Sequence, residues 1–254
     1  MTKNGKYIYC IILNSVPTEF GSIGIGNQGD MVYTVNYNDI SAVVSNSSKK
    51  EYRARRVNVL AHQTVLEKVM ERFTILPVRF STVSETDDDA GIQRILEKDY
   101  DKFKNLLLEM EGKKELGLKA IAREEVIFNH ILEKYSDIRT LRDKLITIPP
   151  EKSHAQRMRI GEMVESALQN ETEQLKNEIL EILRPFSEDV KINENYGDRM
   201  IMNGAFLVDK RKETEFDKVV NELDDKYGWL VTLKYVGSLP PYNFVNLVIN
   251  MEEN

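Results

Sequence analysis

Few residues in this sequence are equipped to do chemistry: three histidines, one cysteine, a run of three aspartates and a glycine-rich loop. His62, His130 and His154 have no second ligand at a metal-binding spacing such as H-E-x-x-H. His62 stands three and four residues before Val65 and Leu66, at the edge of an apolar helical face. A histidine there is expected to be a satisfied packing residue rather than a ligand or a base. Asp87-Asp88-Asp89 has the carboxylates to hold a cation, but acids in a first helical turn already complement the helix dipole. Gly24-Ile-Gly-Asn-Gln-Gly29 fits the pattern G-x-G-x-x-G. That pattern binds a dinucleotide only where it opens a helix whose N-terminus faces the pyrophosphate. The residues that follow here are rich in Val, Tyr and Thr and strand-like, so a loop is expected. No G-x-S-x-G elbow and no P-loop lysine motif occurs. The expectation is a chain without catalysis, cofactor or metal.

Other residues are suited to recognition. Lys49, Lys50, Arg53, Arg55 and Arg56 cluster at the start of a predicted helix, where cations oppose the macrodipole, so helix stability does not account for them. A solvated turn, docking to an acidic protein surface and nucleic-acid binding all fit that cluster. Leu76-Pro-Val-Arg-Phe80 sets Arg79 beside Phe80 in an apolar strand, where a guanidinium is expected to find a carboxylate or main-chain carbonyls. Near the end, Pro240 and Pro241 fix an extended backbone and present Tyr242 and Phe244 as rigid aromatic groups. Either core packing or a partner-facing surface fits those rings. Arg79, Phe80, Pro240, Pro241, Tyr242 and Phe244 are the candidate partner-binding residues.

These residues must be held by elements that the patterning predicts. Strands are expected at 7–13, 31–35, 40–45, 74–78, 118–122, 200–208, 230–236 and 244–249, from runs rich in Val, Ile, Tyr and Phe. Helical spacing of apolar residues predicts a helix over 53–72 and another entered from a Thr86 cap, with Ile92, Ile95, Leu96, Phe103 and Leu107 on one face. A charged helical stretch runs to about 145. Ser153-His-Ala-Gln156 then reads as a capping box that starts a long helix ending at Pro185. Glu171-Thr-Glu-Gln174 interrupts that helix's apolar stripe, which suggests that part of it stands clear of the core. The order hairpin, helix, strand occurs at 31–78 and again at 189–236, which points to ferredoxin-like sheets. In the first copy, the glycine-rich loop 14–29 stands where the first helix should be. The fold class is therefore α+β, with two ferredoxin-like domains, residues 1–113 and 114–254, the second elaborated with additional long helices.

Composition agrees with a folded protein. The 254 residues are 41% hydrophobic and 30% charged, enough to bury a core. A net charge of -6 gives no general attraction to nucleic acid or anionic lipid. Cys10 lies in the run Tyr7-Ile-Tyr-Cys-Ile-Ile-Leu13 and is expected to pack as a small hydrophobe in a reducing compartment. No run approaches the ~20 apolar residues that span a bilayer, so a soluble, cytosolic chain is expected.

At these segments the sequence resembles the GvpF/GvpL family of gas vesicle proteins. The resemblance rests on Tyr7-Ile-Tyr-Cys-Ile-Ile12, Ile40-Ser-Ala-Val-Val-Ser45, His62 followed by Ile75-Leu-Pro-Val-Arg-Phe-Ser-Thr-Val83, Glu115-Leu-Gly-Leu-Lys119, Asn203-Gly-Ala-Phe-Leu-Val208 and Gly237-Ser-Leu-Pro-Pro-Tyr-Asn-Phe-Val245. The ordered set spans nearly the whole chain. Ser81 stands where the family usually has Gly, and Ser238-Leu239 where it usually has Pro-Trp. The resemblance implies a two-domain, non-catalytic protein, cytoplasmic and vesicle-associated, that takes part in gas vesicle formation. It also implies partners: the small hydrophobic shell protein and other gas vesicle accessory proteins. The alternative is a ligand- or RNA-binding regulator built on the same sheets.

Overall fold

The structure, a computed structural model, describes residues 5–26, 30–247 and 249. The chain divides into two compact units. The described residues up to Glu115 form one together with the described residues from Ser238 onward, and Leu116–Gly237 form the other. The expected division at 113/114 does not include this return of the last segment to the first unit.

The first unit is built on a five-stranded sheet. Its strands are β1 (Gly5–Leu13), β2 (Glu19–Gly21), β3 (Val32–Tyr37), β4 (Ile40–Ser47) and β5 (Ile75–Pro77), in the order β2-β3-β4-β1-β5. β1 is antiparallel to both β4 and β5, and β3 pairs antiparallel with β4 through a hairpin. Asn38 at the hairpin tip has φ 51°, a left-handed conformation that Asn tolerates. Without β2 the order is that of a ferredoxin-like sheet. Over its described residues, the segment between β1 and β3, where such a fold has a helix, is a loop that carries β2; Gly24, Ile25 and Gly26 of the glycine-rich motif belong to it, and residues 27–29 lie outside the described residues.

Three helices cover this sheet: α1 (Arg56–Met70), α2 (Asp89–Lys98) and α3 (Tyr100–Met110). α1 packs on β1 and β5, α2 on β3 and β4, and α3 on β1, β4 and β5. β1 is buried from Gly5 through Ile12, which is why it reads as a continuous apolar run rather than an alternating one. The single helix expected after Thr86 is two. Asp88, not Thr86, is the cap, accepting the Gly91 N–H at 2.9 Å, and Asp99 leaves helical geometry with ψ 21°.

The second unit carries β6 (Lys113–Ala122), β7 (Asp189–Ile192), β8 (Met200–Asp209) and β9 (Val231–Leu239) in the order β7-β8-β6-β9, the ferredoxin-like arrangement. α7 (Glu213–Tyr227) is its second helix. The place of the first is taken by α4 (Glu124–Lys134), α5 (Ser136–Ile146) and α6 (His154–Leu183). α6 has 30 residues, a rod of about 45 Å. Its C-terminal half puts Leu175, Ile179, Leu180 and Leu183 into the main core with Phe206 and Phe216. The N-terminal half packs Ile160, Met163, Val164 and Ala167 against Ile131 of α4 and Ile138 of α5, forming a small second core. The two halves meet at Glu171. Its buried carboxylate accepts from Lys134 Nζ at 2.7 Å, Tyr135 OH at 2.8 Å and His130 Nε2 at 3.3 Å.

Two local expectations are corrected. Ser153 makes no capping bond to α6; its hydroxyl donates to the Pro149 carbonyl and accepts from Arg157 Nε. The strand expected at 244–249 is a turn followed by irregular chain over its described residues. There the Phe244 and Val245 N–H groups fold back onto the Pro241 carbonyl.

Candidate functional site

Inside the first unit a group of aromatic and polar side chains surrounds His62. The residue lies on the inner face of α1 and is 4% exposed. Tyr7 and Tyr9 of β1 face it, with ring centroids 5.6 Å away in both cases, and Phe80 meets it edge-on at 5.8 Å. From the far end of the chain the Pro240-Pro241 turn delivers Tyr242, whose hydroxyl lies 2.8 Å from His62 Nε2. Nδ1 lies 3.0 Å from the Tyr7 hydroxyl.

The direction of this hydrogen-bonded chain is fixed by its ends. The Ser81 N–H can only donate, and does so to the Tyr7 hydroxyl at 2.9 Å. The Val78 carbonyl can only accept, and takes the Tyr242 O–H at 3.2 Å. Tyr7 therefore donates to Nδ1 and the Nε2–H donates to Tyr242, which assigns a neutral imidazole with its proton on Nε2. A second proton on the ring would turn Nδ1 into a donor and strand the Tyr7 proton. Burial pushes the His62 pKa down to about 4, and burial also raises the Tyr7 and Tyr242 phenols above their ordinary value. The site is thus a proton-locked structural network. Its polar atoms are satisfied, and it holds no activated nucleophile.

Tyr242 has two sides. Its hydroxyl is committed inward, while 43% of the residue stays exposed. Next to it, Asn243 donates its backbone N–H and its Nδ2 to the buried Glu115 carboxylate, at 3.0 and 2.6 Å. Pro240 and Pro241 are buried and Phe244 is half-buried, so the prolines seat the turn and Tyr242 is its outward aromatic. Phe80 and Tyr242 thus meet on His62. Arg79 lies between Phe80 and Val78, but it is exposed, and the expected desolvated guanidinium is not found because β5 ends at Pro77 and the chain turns outward after Val78.

Other sequence candidates resolve into structural roles. Asp88 is the α2 cap, and Asp89 pairs with Lys6 Nζ at 3.2 Å. Among the described residues no group of three or more His, Cys, Asp or Glu side chains is placed to hold a metal ion. Cys10 is fully buried, and burial raises its thiol pKa. No helix among them is long and apolar enough to cross a membrane. Lys49, Arg53 and Arg55 line one polar groove, which also holds Asp30 and Glu51.

Comparison with known proteins then bears on the whole assembly. Residues 5–246 match the family described as gas vesicle synthesis protein GvpL/GvpF. The chain belongs to this GvpL/GvpF family. It is 25% identical over 243 residues to gas vesicle protein F of Dolichospermum flosaquae, covering 95% of this chain and 97% of the relative. It is 28% identical over 260 residues to gas vesicle protein F1 of Halobacterium salinarum, covering 100% and 98%. The crystal structure of GvpF from Anabaena sp. PCC7120 superposes with a TM-score of 0.83 at 23% identity, covering 97% of this chain and 100% of that one. The GvpF structure from Microcystis aeruginosa gives 0.76 at 24%, covering 96% and 99%. The α+β fold with two antiparallel sheets is thus shared with solved GvpF structures.

Within that GvpL/GvpF frame, Ser81 gains a physical meaning. Its φ is 68°, in the left-handed region that favours glycine. The serine compensates in part, because its Oγ accepts the Tyr52 N–H at 2.7 Å. Sequence reasoning missed Tyr7, Ser81 and Glu115 as members of the network. A buried tyrosine needing a partner for its hydroxyl was the available signal for Tyr7.

Proposed function

We propose that this chain is an accessory or minor structural protein of gas vesicle assembly, cytoplasmic and vesicle-associated, that handles the small hydrophobic shell protein by surface contact and performs no chemistry. The match to gas vesicle synthesis proteins over residues 5–246 supports the assembly role. The observation that carries the contact surface is Tyr242, anchored by its hydroxyl to His62 and the Val78 carbonyl while 43% of the residue faces outward. An aromatic ring held rigid in this way gives contact area at low entropic cost. The exposed Arg79, next in sequence to the Val78 that anchors the ring, supplies a charge that orients a partner and keeps the surface soluble. Phe80, Phe244 and the Pro240-Pro241 turn back the patch.

Capture of the shell protein by immobilised variants tests this. Arg79→Glu alters an exposed residue and is expected to leave the melting temperature unchanged while capture falls by about tenfold, the usual scale for one hot-spot contact. Tyr242→Phe keeps the ring and is expected to lower the melting temperature with capture retained below it. Full capture by both Arg79→Glu and Tyr242→Ala at a temperature where each is folded would refute the surface.

A further inference from the structure

The helical arm of the second unit carries an apolar groove that the Tyr242 surface does not involve. It encloses about 310 Å³ between α4 and α6 and is lined by Phe128, Ile131, Leu132, Ile160, Gly161 and Val164. Arg142 and Arg157 complete the lining, and no carboxylate contributes to it. The arm also leaves Phe128, Ile146 and Met158 exposed, at 38%, 75% and 57%.

Gly161 is the telling residue. A glycine inside a helix weakens it relative to alanine, and is tolerated where another element packs too closely for a side chain. Here a Cβ built on Gly161 would meet nothing within 4 Å. The glycine therefore serves no close packing within the chain. What it does is leave the groove floor open.

The two arginines are positioned rather than loose. Arg157 donates through Nε to Ser153 Oγ and through Nη2 to the Leu145 and Ile148 carbonyls at the end of α5. Arg142 uses Nε and Nη2 on Asp143. Among the described residues neither Nη1 has a partner, so each guanidinium keeps donors for an incoming anion.

We propose that this groove is a docking site for an amphipathic α-helix of another protein, whose apolar stripe seats over Gly161 and Phe128 and whose flanking Asp or Glu residues meet Arg142 and Arg157. An amphipathic helix entering a groove by apolar residues one turn apart is a general recognition mode. The carboxylate flanks are set by the two guanidiniums of the lining: Arg157 is bonded to a hydroxyl and to carbonyls, while Arg142 is paired on one edge with Asp143 at 2.7 Å and keeps Nη1 for a second carboxylate. This inference is independent of the Tyr242 surface, which lies in the other unit.

The probe is a fluorescent peptide of about 18 residues, five helical turns, with a leucine stripe flanked by glutamates. Its counterpart has lysines in place of the glutamates. Anisotropy titrations use the full chain. The wild type is expected to bind the glutamate peptide about tenfold or more tighter than the lysine peptide, and Arg142→Glu to reverse that preference. Gly161→Ala is expected to raise the melting temperature by about 2–4 °C, as helix propensity rises, with binding retained. Gly161→Leu is also expected to melt no lower than wild type, but to lose binding by tenfold or more because its side chain fills the floor. Absence of saturable binding by the wild type overturns the proposal. So does undiminished binding by a folded Gly161→Leu, or indifference to the peptide's charge.

Discussion

His62 can exist neutral or charged, and the bonds around it admit only the neutral form. The groups that face it are Tyr7, Tyr9, Phe80 and Tyr242, and none of them is a counter-ion for an imidazolium. Its pKa falls from 6.5 to about 4 on folding. Between those values the unfolded chain binds the proton and the folded chain does not. The stability that follows is fully present above about pH 6.5, declines as pH falls, and is exhausted near pH 4, a total of about 3 kcal/mol. Urea titrations at pH 7.5 and pH 4.5 should show a loss in the parent that is smaller in His62→Gln, whose amide does not titrate. Glu115 acts in the opposite sense. Burial raises its pKa, so its contribution weakens as pH rises, and only the difference between the two proteins isolates the histidine. Ser81 gives a second test. Ser81→Ala keeps a left-handed backbone and loses the acceptor for the Tyr52 N–H, and should cost about 1–2 kcal/mol. Ser81→Gly loses the same bond but relieves the backbone, so it should melt close to the parent and above the alanine variant. The position of His62 at the edge of an apolar helix face was legible from Val65 and Leu66. Its partners were not, because Tyr242 lies 180 residues away in sequence and no local pattern specifies a contact at that range.

Helices and strands were legible where a single periodicity governs a segment. β1, β4, α1 and α7 follow their apolar spacing closely. Legibility failed where a local polar residue overrules the stripe. The face Ile92, Leu96, Phe103 and Leu107 runs through α2 and α3 without interruption, yet Asp99 breaks the helix, and hydrophobic spacing carries no record of that. The interruption at Glu171 was visible, but its cause was not. That carboxylate joins the two halves of α6 to α4 through His130, Lys134 and, just beyond the helix end, Tyr135. Glu171→Ala removes a buried charged acceptor whose partners can all turn to water, so its cost should be moderate, about 1–2 kcal/mol. Chemical denaturation monitored by Trp229, whose ring meets His130 at 5.5 Å, reads the change in this region directly. A stability equal to wild type would mean that the α4–α6 contact rests on its apolar residues alone.

At the level of the whole chain, the ferredoxin-like order was the most legible feature, because each repeat of hairpin, helix and strand is encoded by short-range patterns. The return of residues from Ser238 onward to the first unit was not, since it depends on where Pro240, Pro241, Val245 and Leu247 find burial. Removing everything after Gly237 should destabilise the first unit selectively. Amide exchange around Tyr7 and His62 is expected to accelerate about tenfold or more, while α7 and β8 keep their protection. Uniform acceleration in both units would contradict this assignment of the segment.

That return path also sets an order in time. A ribosome delivers the chain from its N-terminus, and Asn243 follows its partner Glu115 by 128 residues. At about 5–20 residues per second, the first unit waits roughly 6–25 s after Glu115 is made before its closing turn exists. During that interval His62 lacks the acceptor on Nε2, and the tyrosine-lined interior is unlatched. Nascent chains that terminate early keep this defect permanently and present it to the chaperones and proteases that survey new protein. Closure of the first-made unit therefore waits on the synthesis of Tyr242 and Asn243.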